Sequence, residues 1–151
     1  MHMPNNQSTT DQVLKLDNQL CFALYSTSLA MTKVYKSLLA VLGLTYPQYV
    51  AMLVLWEKDD LMVSEIGERL FLDSGTLTPL LKRLESSGLV TRQRDKQDER
   101  RVRVKLTDTG IALKQQATHV PACVIAQTQA HLPKLRTLSQ DLKTLRAHLM
   151  S

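Results

Sequence analysis

The sequence predicts a mainly α-helical fold that carries one β-hairpin and is flanked by long N- and C-terminal helices. Three observations predict it. The 151 residues include only 5 Gly and 5 Pro, too few turn formers for a sandwich or barrel, which needs a turn every several residues. Apolar residues recur at helical spacing over most of the chain. One segment alone, between residues 89 and 106, alternates with period two. With 44% apolar and 22% charged residues, the composition is that of an ordinary globular chain and excludes wholesale disorder. The length fits one domain, 1–151.

The elements follow in order. Val13, Leu16, Leu20, Leu24, Met31, Val34, Leu38 and Val41 form one apolar stripe, which predicts a single continuous first helix. A helix that long cannot pack its whole length inside so small a domain, so part of it is expected to pair with a second subunit. Gly43 ends it, and Pro47 suits the first turn of a second helix that runs through Tyr49, Met52, Leu53 and Trp56 to the charged Lys58-Asp-Asp60 turn. Two short helices come next. Ser64 is expected to cap the first, with Ile66 and Leu70 facing inward; Asp73 or Ser74 caps the second, whose inward stripe is Leu77, Leu80, Leu81 and Leu84, with Gly88 after its end. Their joint of three or four residues makes a helix-turn-helix. The stretches 89–94 and 101–106 flank a charged tip and form a hairpin, a wing. Thr107 caps a further helix with a bend at Pro121 that continues toward Leu132, and a last helix follows Pro133 with Leu135, Leu138, Leu142, Leu145 and Leu149. The architecture is thus a winged helix-turn-helix over 47–106, with 11–46 and 107–151 supplying the helices of a homodimer interface.

The net charge of +5 lies wholly within residues 82–105, where nine basic residues face four acidic ones. A confined basic excess suits a polyanion surface, because counterion release rewards clustering. Double-stranded DNA is the expected partner. A membrane surface fits less well, since this patch alternates charge with β-branched residues and lacks an amphipathic helix with exposed aromatics. Residues 37–56 carry no charge, but the interruption from Gly43 to Gln48 splits them into two core pieces rather than a span. The polar stretch from Pro4 to Gln12 has no apolar core of a secretory signal, so a cytoplasmic protein is expected. No cofactor motif is visible, and His119, Cys123 and His131 match no metal-ligand spacing.

On the second short helix, Ser74, Thr76, Lys82 and Arg83 point outward with Thr78 at the flank. Small hydroxyls at a helix start followed by cations fit a major groove, with base edges read first and phosphates met later. The wing adds Arg94 and Arg100, and Asp98 can hold the Arg100 fork rigid for a narrow minor groove. On the first helix, Tyr25, Ser28, Thr32 and Tyr35 project within roughly 40° of Cys21, a side of thiol, hydroxyl and phenol. Tyr35 lies about 21 Å along the axis from its own Cys21. Contact therefore needs a second subunit.

The run Ser64-Glu-Ile-Gly-Glu-Arg-Leu, the run Leu77 to Leu84, Ser87-Gly-Leu-Val-Thr-Arg, the pair Asp98-x-Arg100 and Leu106-Thr-Asp-Thr-Gly110 together resemble the MarR family of winged-helix repressors over nearly the whole chain. Gln19-Leu-Cys-Phe-Ala-Leu-Tyr25, Tyr46-Pro-Gln-Tyr49 and Asp73-Ser-Gly-Thr-Leu-Thr-Pro79-Leu-Leu-Lys resemble its OhrR subgroup, which senses organic hydroperoxides. Pro79 would cost about 3 kcal/mol inside a helix, and it belongs to the subgroup pattern. The resemblance implies a repressor that binds a palindromic operator when reduced and leaves it when Cys21 is oxidised. It implies that Tyr35 and Tyr46, with Tyr25 near the thiol, stabilise a thiolate, the first two across the dimer. It further implies that Cys123 resolves the oxidised Cys21 as a disulfide, though the residues alone allow Cys123 to be a core position. Two alternatives stand beside this reading: a MarR-type repressor released by a small aromatic molecule, and a thiol peroxidase, which would need an activating constellation around Cys21 that the sequence does not offer. The expectation is a regulator rather than an enzyme.

Overall fold

The computed structural model describes residues 6–151, so the start of the polar stretch from Pro4 lies outside them. The chain runs α1 (Asn6–Val13), a 3-10 turn (Leu16–Asn18), α2 (Leu20–Ala40), α3 (Tyr46–Glu57), β1 (Leu61–Met62), α4 (Val63–Leu70), α5 (Ser74–Ser86), β2 (Val90–Arg94), β3 (Val102–Leu106), α6 (Asp108–Ala117), α7 (Val120–Thr128) and α8 (Leu132–Leu149). The strands form one antiparallel sheet in the order β1-β3-β2. This is a winged helix-turn-helix with long helices at both ends. Among the described residues no helix is long and apolar enough to cross a membrane.

The first helix departs from expectation. It is broken at 14–19 rather than continuous from Val13 to Val41. Asn18 Nδ2 donates to the Gln12 carbonyl at 2.6 Å, and Gln19 Nε2 donates to the Val13 and Lys15 carbonyls at 2.8 Å each. Those acceptors would otherwise serve the next helical turn, so the two amides close α1 and force a restart at Leu20. At the other end Gly43, with φ +69°, closes α2 through Leu44 N–H to Leu39 O and Gly43 N–H to Ala40 O, the paired bonds of a left-handed helix stop. Thr45 then caps α3 reciprocally with Gln48.

The core sits in the winged-helix half. Met52 and Leu55 of α3, Ile66 of α4, Leu77, Leu81 and Leu84 of α5, Val90 of β2 and Val104 of β3 are fully buried. Helix α2 buries only Leu39, near its end, and α8 buries nothing. Leu20, Phe22, Tyr25 and Leu29 of α2 and Leu138, Leu142 and Leu149 of α8 are exposed.

Three local expectations are corrected. Helix α4 starts at Val63, so Ser64 is inside its first turn and does not cap it; instead Met62 N–H donates to Glu65 Oε2 at 2.8 Å. The segment after Thr107 does not bend at Pro121 on the way to Leu132. It breaks between α6 and α7, and Pro121 occupies the first turn of α7, where its missing N–H costs nothing. Pro133 likewise lies inside the first turn of α8 rather than before it. Strand β1 was not expected, because two residues carry no periodicity; it is added by Leu61 pairing opposite Val104.

Candidate nucleic-acid interface and thiol site

Helix α5 is set by its caps. Asp73 Oδ1 accepts the Thr76 N–H at 2.7 Å. That backbone bond, then the Thr76 hydroxyl and the Gly75 N–H, holds the Asp73 carboxyl below its ordinary range. At the far end Gly88, with φ +76°, closes the helix, with Leu89 N–H on Leu84 O and Gly88 N–H on Glu85 O. With the leucines facing inward, Ser74, Thr76, Lys82 and Arg83 are exposed and Thr78 is half-buried. Pro79 sits inside the helix on the exposed side.

Strands β2 and β3 pair from Val90 opposite Leu106 to Arg94 opposite Val102. The tip is folded by Asp95 N–H to Arg101 O at 2.8 Å and Arg101 N–H to Asp98 O at 2.9 Å. Asp98 Oδ1 accepts both the backbone N–H and the Nε–H of Arg100, at 3.1 and 3.3 Å, while its Oδ2 lies 3.6 Å from Arg101 Nε. The Arg100 side chain remains 92% exposed. A cleft of about 270 Å³ between α5 and the wing is lined by Ser74, Thr78, Arg92, Arg100 and Arg101 among others. Arg94 instead lines a second hollow on the wing with Lys96 and Lys105, and Thr76, Lys82 and Arg83 line neither. Arg103, not counted as a site residue from sequence, lies 3.7 Å from both Asp60 and Asp95 and so ties the wing to the turn after α3. Opposite charges on β3 and in the Lys58-Asp-Asp60 turn were the available signal.

Both cysteines are free thiols. Cys21 is exposed in the first turn of α2, and Cys123 is partly buried on α7. Because α2 is unbroken from Leu20 to Ala40, Tyr35 lies about 21 Å along it from Cys21. The structure does bring Tyr35 and Tyr46 together, with ring centroids 4.8 Å apart. Tyr49, not counted as a site residue from sequence, completes the cluster at 5.8 Å from Tyr35 and 6.5 Å from Tyr46 and is almost fully buried. Its spacing of three from Tyr46 within α3 was the legible sign. Tyr25 is one turn beyond Cys21 and exposed. Among the described residues no group of three or more His, Cys, Asp or Glu side chains is placed to hold a metal ion.

Burial raises the Tyr35 hydroxyl above its usual value of 10.0, and the neighbouring Tyr46 and Tyr49 phenols add to it; burial and Tyr46 do the same for Tyr49. Both are therefore protonated O–H donors at neutral pH. The unfolded phenol loses its proton first, so this stabilisation is complete below about pH 10 and is lost as pH rises through the folded values. Absorbance titration at 295 nm should show part of the tyrosine signal rising only above that pH, and urea unfolding should show stability falling over the same window.

A family model described as transcriptional regulator SarA/Rot matches residues 33–117. The organic hydroperoxide resistance transcriptional regulator of Bacillus subtilis (strain 168) is 50% identical over 132 residues, 87% of this chain and 90% of that protein. Among solved structures, reduced AbfR bound to DNA superposes with a TM-score of 0.77 at 33% identity, covering 94% of this chain and 99% of the other. Disulfide-formed AbfR superposes at 0.60, with 33% identity over 95% and 98% of the two chains. AbfR is a protein of Staphylococcus epidermidis. Wild-type MarR from E. coli in its apo form superposes at 0.67, with 25% identity over 84% and 96%. With half of 132 aligned residues identical to one regulator and its fold shared over most of its length with the others, the chain belongs to the MarR family of transcriptional regulators.

Proposed function

We propose that this regulator is a homodimeric repressor that binds a palindromic operator while Cys21 is a thiol and leaves it when an organic hydroperoxide oxidises that sulfur. The observation that carries the reading is the position of Cys21. It is an exposed thiol in the first turn of α2, on the half of that helix that buries nothing. The unburied apolar residues of α2 and α8 suit a second copy, with 11–46 and 107–151 as the dimer and sensor segments and 47–106 as the DNA-binding segment. A second α2 alongside would allow Tyr35 and Tyr46 of one subunit to donate to the other's Cys21. AbfR is known on DNA in a reduced and in an overoxidized form, and a disulfide form of it exists as well, which supports a redox-active thiol here, with the disulfide rather than overoxidation as the releasing state.

The chemistry balances as two steps. The Cys21 thiolate attacks the outer peroxide oxygen, the O–O bond breaks, and with one proton an alcohol leaves and a sulfenic acid remains. The Cys123 sulfur of the other subunit then attacks that sulfenic sulfur, forming a disulfide and releasing water. Reduced protein should retain a duplex that it has itself selected from a random-sequence library. Cumene hydroperoxide should release it and dithiothreitol should restore binding. Retention after full conversion of Cys21 to the disulfide would refute the switch.

On the DNA side, Ser74, Thr76 and Thr78 would meet base edges and Lys82, Arg83 and Arg94 phosphates, with Asp98 holding Arg100 for the minor groove. Arg100→Ala should weaken binding to the selected duplex by about 1–3 kcal/mol and lower its salt-dependence slope by about 1. An unchanged slope would count against contact by Arg100. A second reading has one observation behind it: Tyr49, Leu53, Trp56, Lys114, Thr118 and Pro121 line an open, largely apolar hollow of about 300 Å³. A small aromatic acid could fit there, and release of reduced protein by benzoate without oxidant would favour that reading.

A further inference from the structure

We infer that Glu85 is a positioning residue, one that sets the angle between α5 and the wing and so controls where Arg100 reaches DNA; the inference rests on the DNA-binding reading above. An acid in the last turn of a helix faces the negative end of the helix dipole, so Glu85 stands where helix formation alone disfavours it. Its two oxygens are both engaged with one strand residue. Oε2 accepts the Arg92 backbone N–H at 3.0 Å, and Oε1 accepts Arg92 Nη2 at 3.3 Å and Nε at 3.4 Å.

Strand β2 is the outer strand of its sheet, so a backbone N–H on its free edge has no strand to pair with. Glu85 supplies the missing acceptor and pairs with the side chain of the same residue. The covalent link from α5 to β2 is only residues 87–89, with Gly88 at φ +76° and open space where its Cβ would be. That link is held at the root of the wing by Leu89 N–H on Leu84 O and by the Thr107 hydroxyl on Gly88 O. One carboxylate that grips both backbone and side chain of Arg92 adds a second hold farther along the strand, on the edge that β3 does not pair. The hydrogen-bonded strand pair carries the constraint from Arg92 to the tip, where Asp98 fixes Arg100. The Arg92 guanidinium also lines the cleft shared by Ser74, Thr78 and Arg100, so the clamp sits between the two DNA-facing elements.

The test uses the full-length reduced protein and the duplex that the parent selects from a random library, with an unselected duplex alongside. Glu85→Ala should bind the selected duplex about tenfold more weakly, and Glu85→Gln, which keeps an acceptor but loses the charge, about threefold. Both should bind the unselected duplex within about twofold of the parent, because the cationic surface is intact. The deciding measurement is a cycle with Arg100→Ala. If Glu85 acts through the placement of Arg100, the double variant binds like Arg100→Ala alone. A fully additive double variant, or a Glu85→Ala protein that binds as the parent does, would overturn the inference while leaving the DNA-binding reading intact. A parent that selects no duplex would overturn that reading and this inference with it. Should Glu85→Ala not fold, the Glu85→Gln cycle decides by the same criterion.

Discussion

Cys21→Ser protein should bind the selected duplex as tightly as the parent and remain on it at a hydroperoxide dose that releases the parent completely. Within one subunit the side chain is exposed and makes no hydrogen bond or ion pair among the described residues, and a serine oxygen can still accept from the phenols of a second copy, so the exchange should change folding stability by less than about 0.5 kcal/mol. What it removes is the nucleophile. A serine hydroxyl cannot attack a peroxide at neutral pH, and no later step can then occur. Cys123→Ser separates the two steps. Its Cys21 still forms the sulfenic acid, so brief peroxide should still act on DNA binding, but electrophoresis without reductant should show none of the cross-linked dimer seen for the parent. Continued exposure should carry that variant to the sulfinic acid, detected as a mass gain of two oxygens that dithiothreitol does not reverse. If Cys21→Ser is released by peroxide as readily as the parent, the sulfur at position 21 is not the sensor. If Cys123→Ser still cross-links, the second sulfur is not the resolving one.

The parts of this molecule that sequence made legible are those governed by local rules. The leucine stripe of α5, the Asp73 cap, Gly88 after the helix and the alternation of the wing are each readable within a dozen residues, and each is present. The pairing of Asp98 with Arg100 was equally local and is seen at 3.3 Å. Apolar periodicity misled where polar side chains intervened. The stripe from Val13 to Val41 kept its phase across residues 14–19, yet Asn18 and Gln19 capture three main-chain carbonyls there and stop the helix. Asp17 and Asn18, both turn formers, were the sign that the stripe outweighed. Contacts between distant segments left only partial signs, a charge or a spacing with no partner named. Nothing local says that Arg103 bridges Asp60 and Asp95, that Leu61 extends the sheet, or that Tyr49 joins Tyr35. The thiol chemistry is a further case, since one chain separates Cys21 from its own Tyr35 by most of the length of α2.

Gly110→Ala should be the most damaging single-methyl change outside the leucine core, and the reason explains a motif that otherwise reads as a mere signature. Gly110 lies in the first turn of α6. Its N–H donates to Thr107 Oγ1 at 3.1 Å and its carbonyl accepts Trp56 Nε1–H at 2.9 Å. A Cβ at this position would collide with the carbonyl oxygen of Leu89, which itself accepts the Thr107 N–H at 3.1 Å. The obstacle is backbone held in place by that bond, by the Thr107 hydroxyl on Gly88 O at 2.6 Å and by the stop of α5, so it cannot swing aside as a side chain would. Relief requires α6 to move away from the root of the wing. The cost should be about 3 kcal/mol, the upper part of the range for overpacking a tight core, read as a lower urea midpoint with an unchanged slope. Gly43→Ala supplies the comparison. Its φ of +69° is strained for alanine, but nothing lies within 4 Å of the added carbon, so only a conformational cost of about 1 kcal/mol is expected. A Gly110→Ala midpoint no lower than that of Gly43→Ala would mean that the junction is looser than drawn. In that case α6, and the terminal helices that follow it, could shift without disturbing the wing, and oxidation at Cys21 would have no rigid path to the DNA-facing surface.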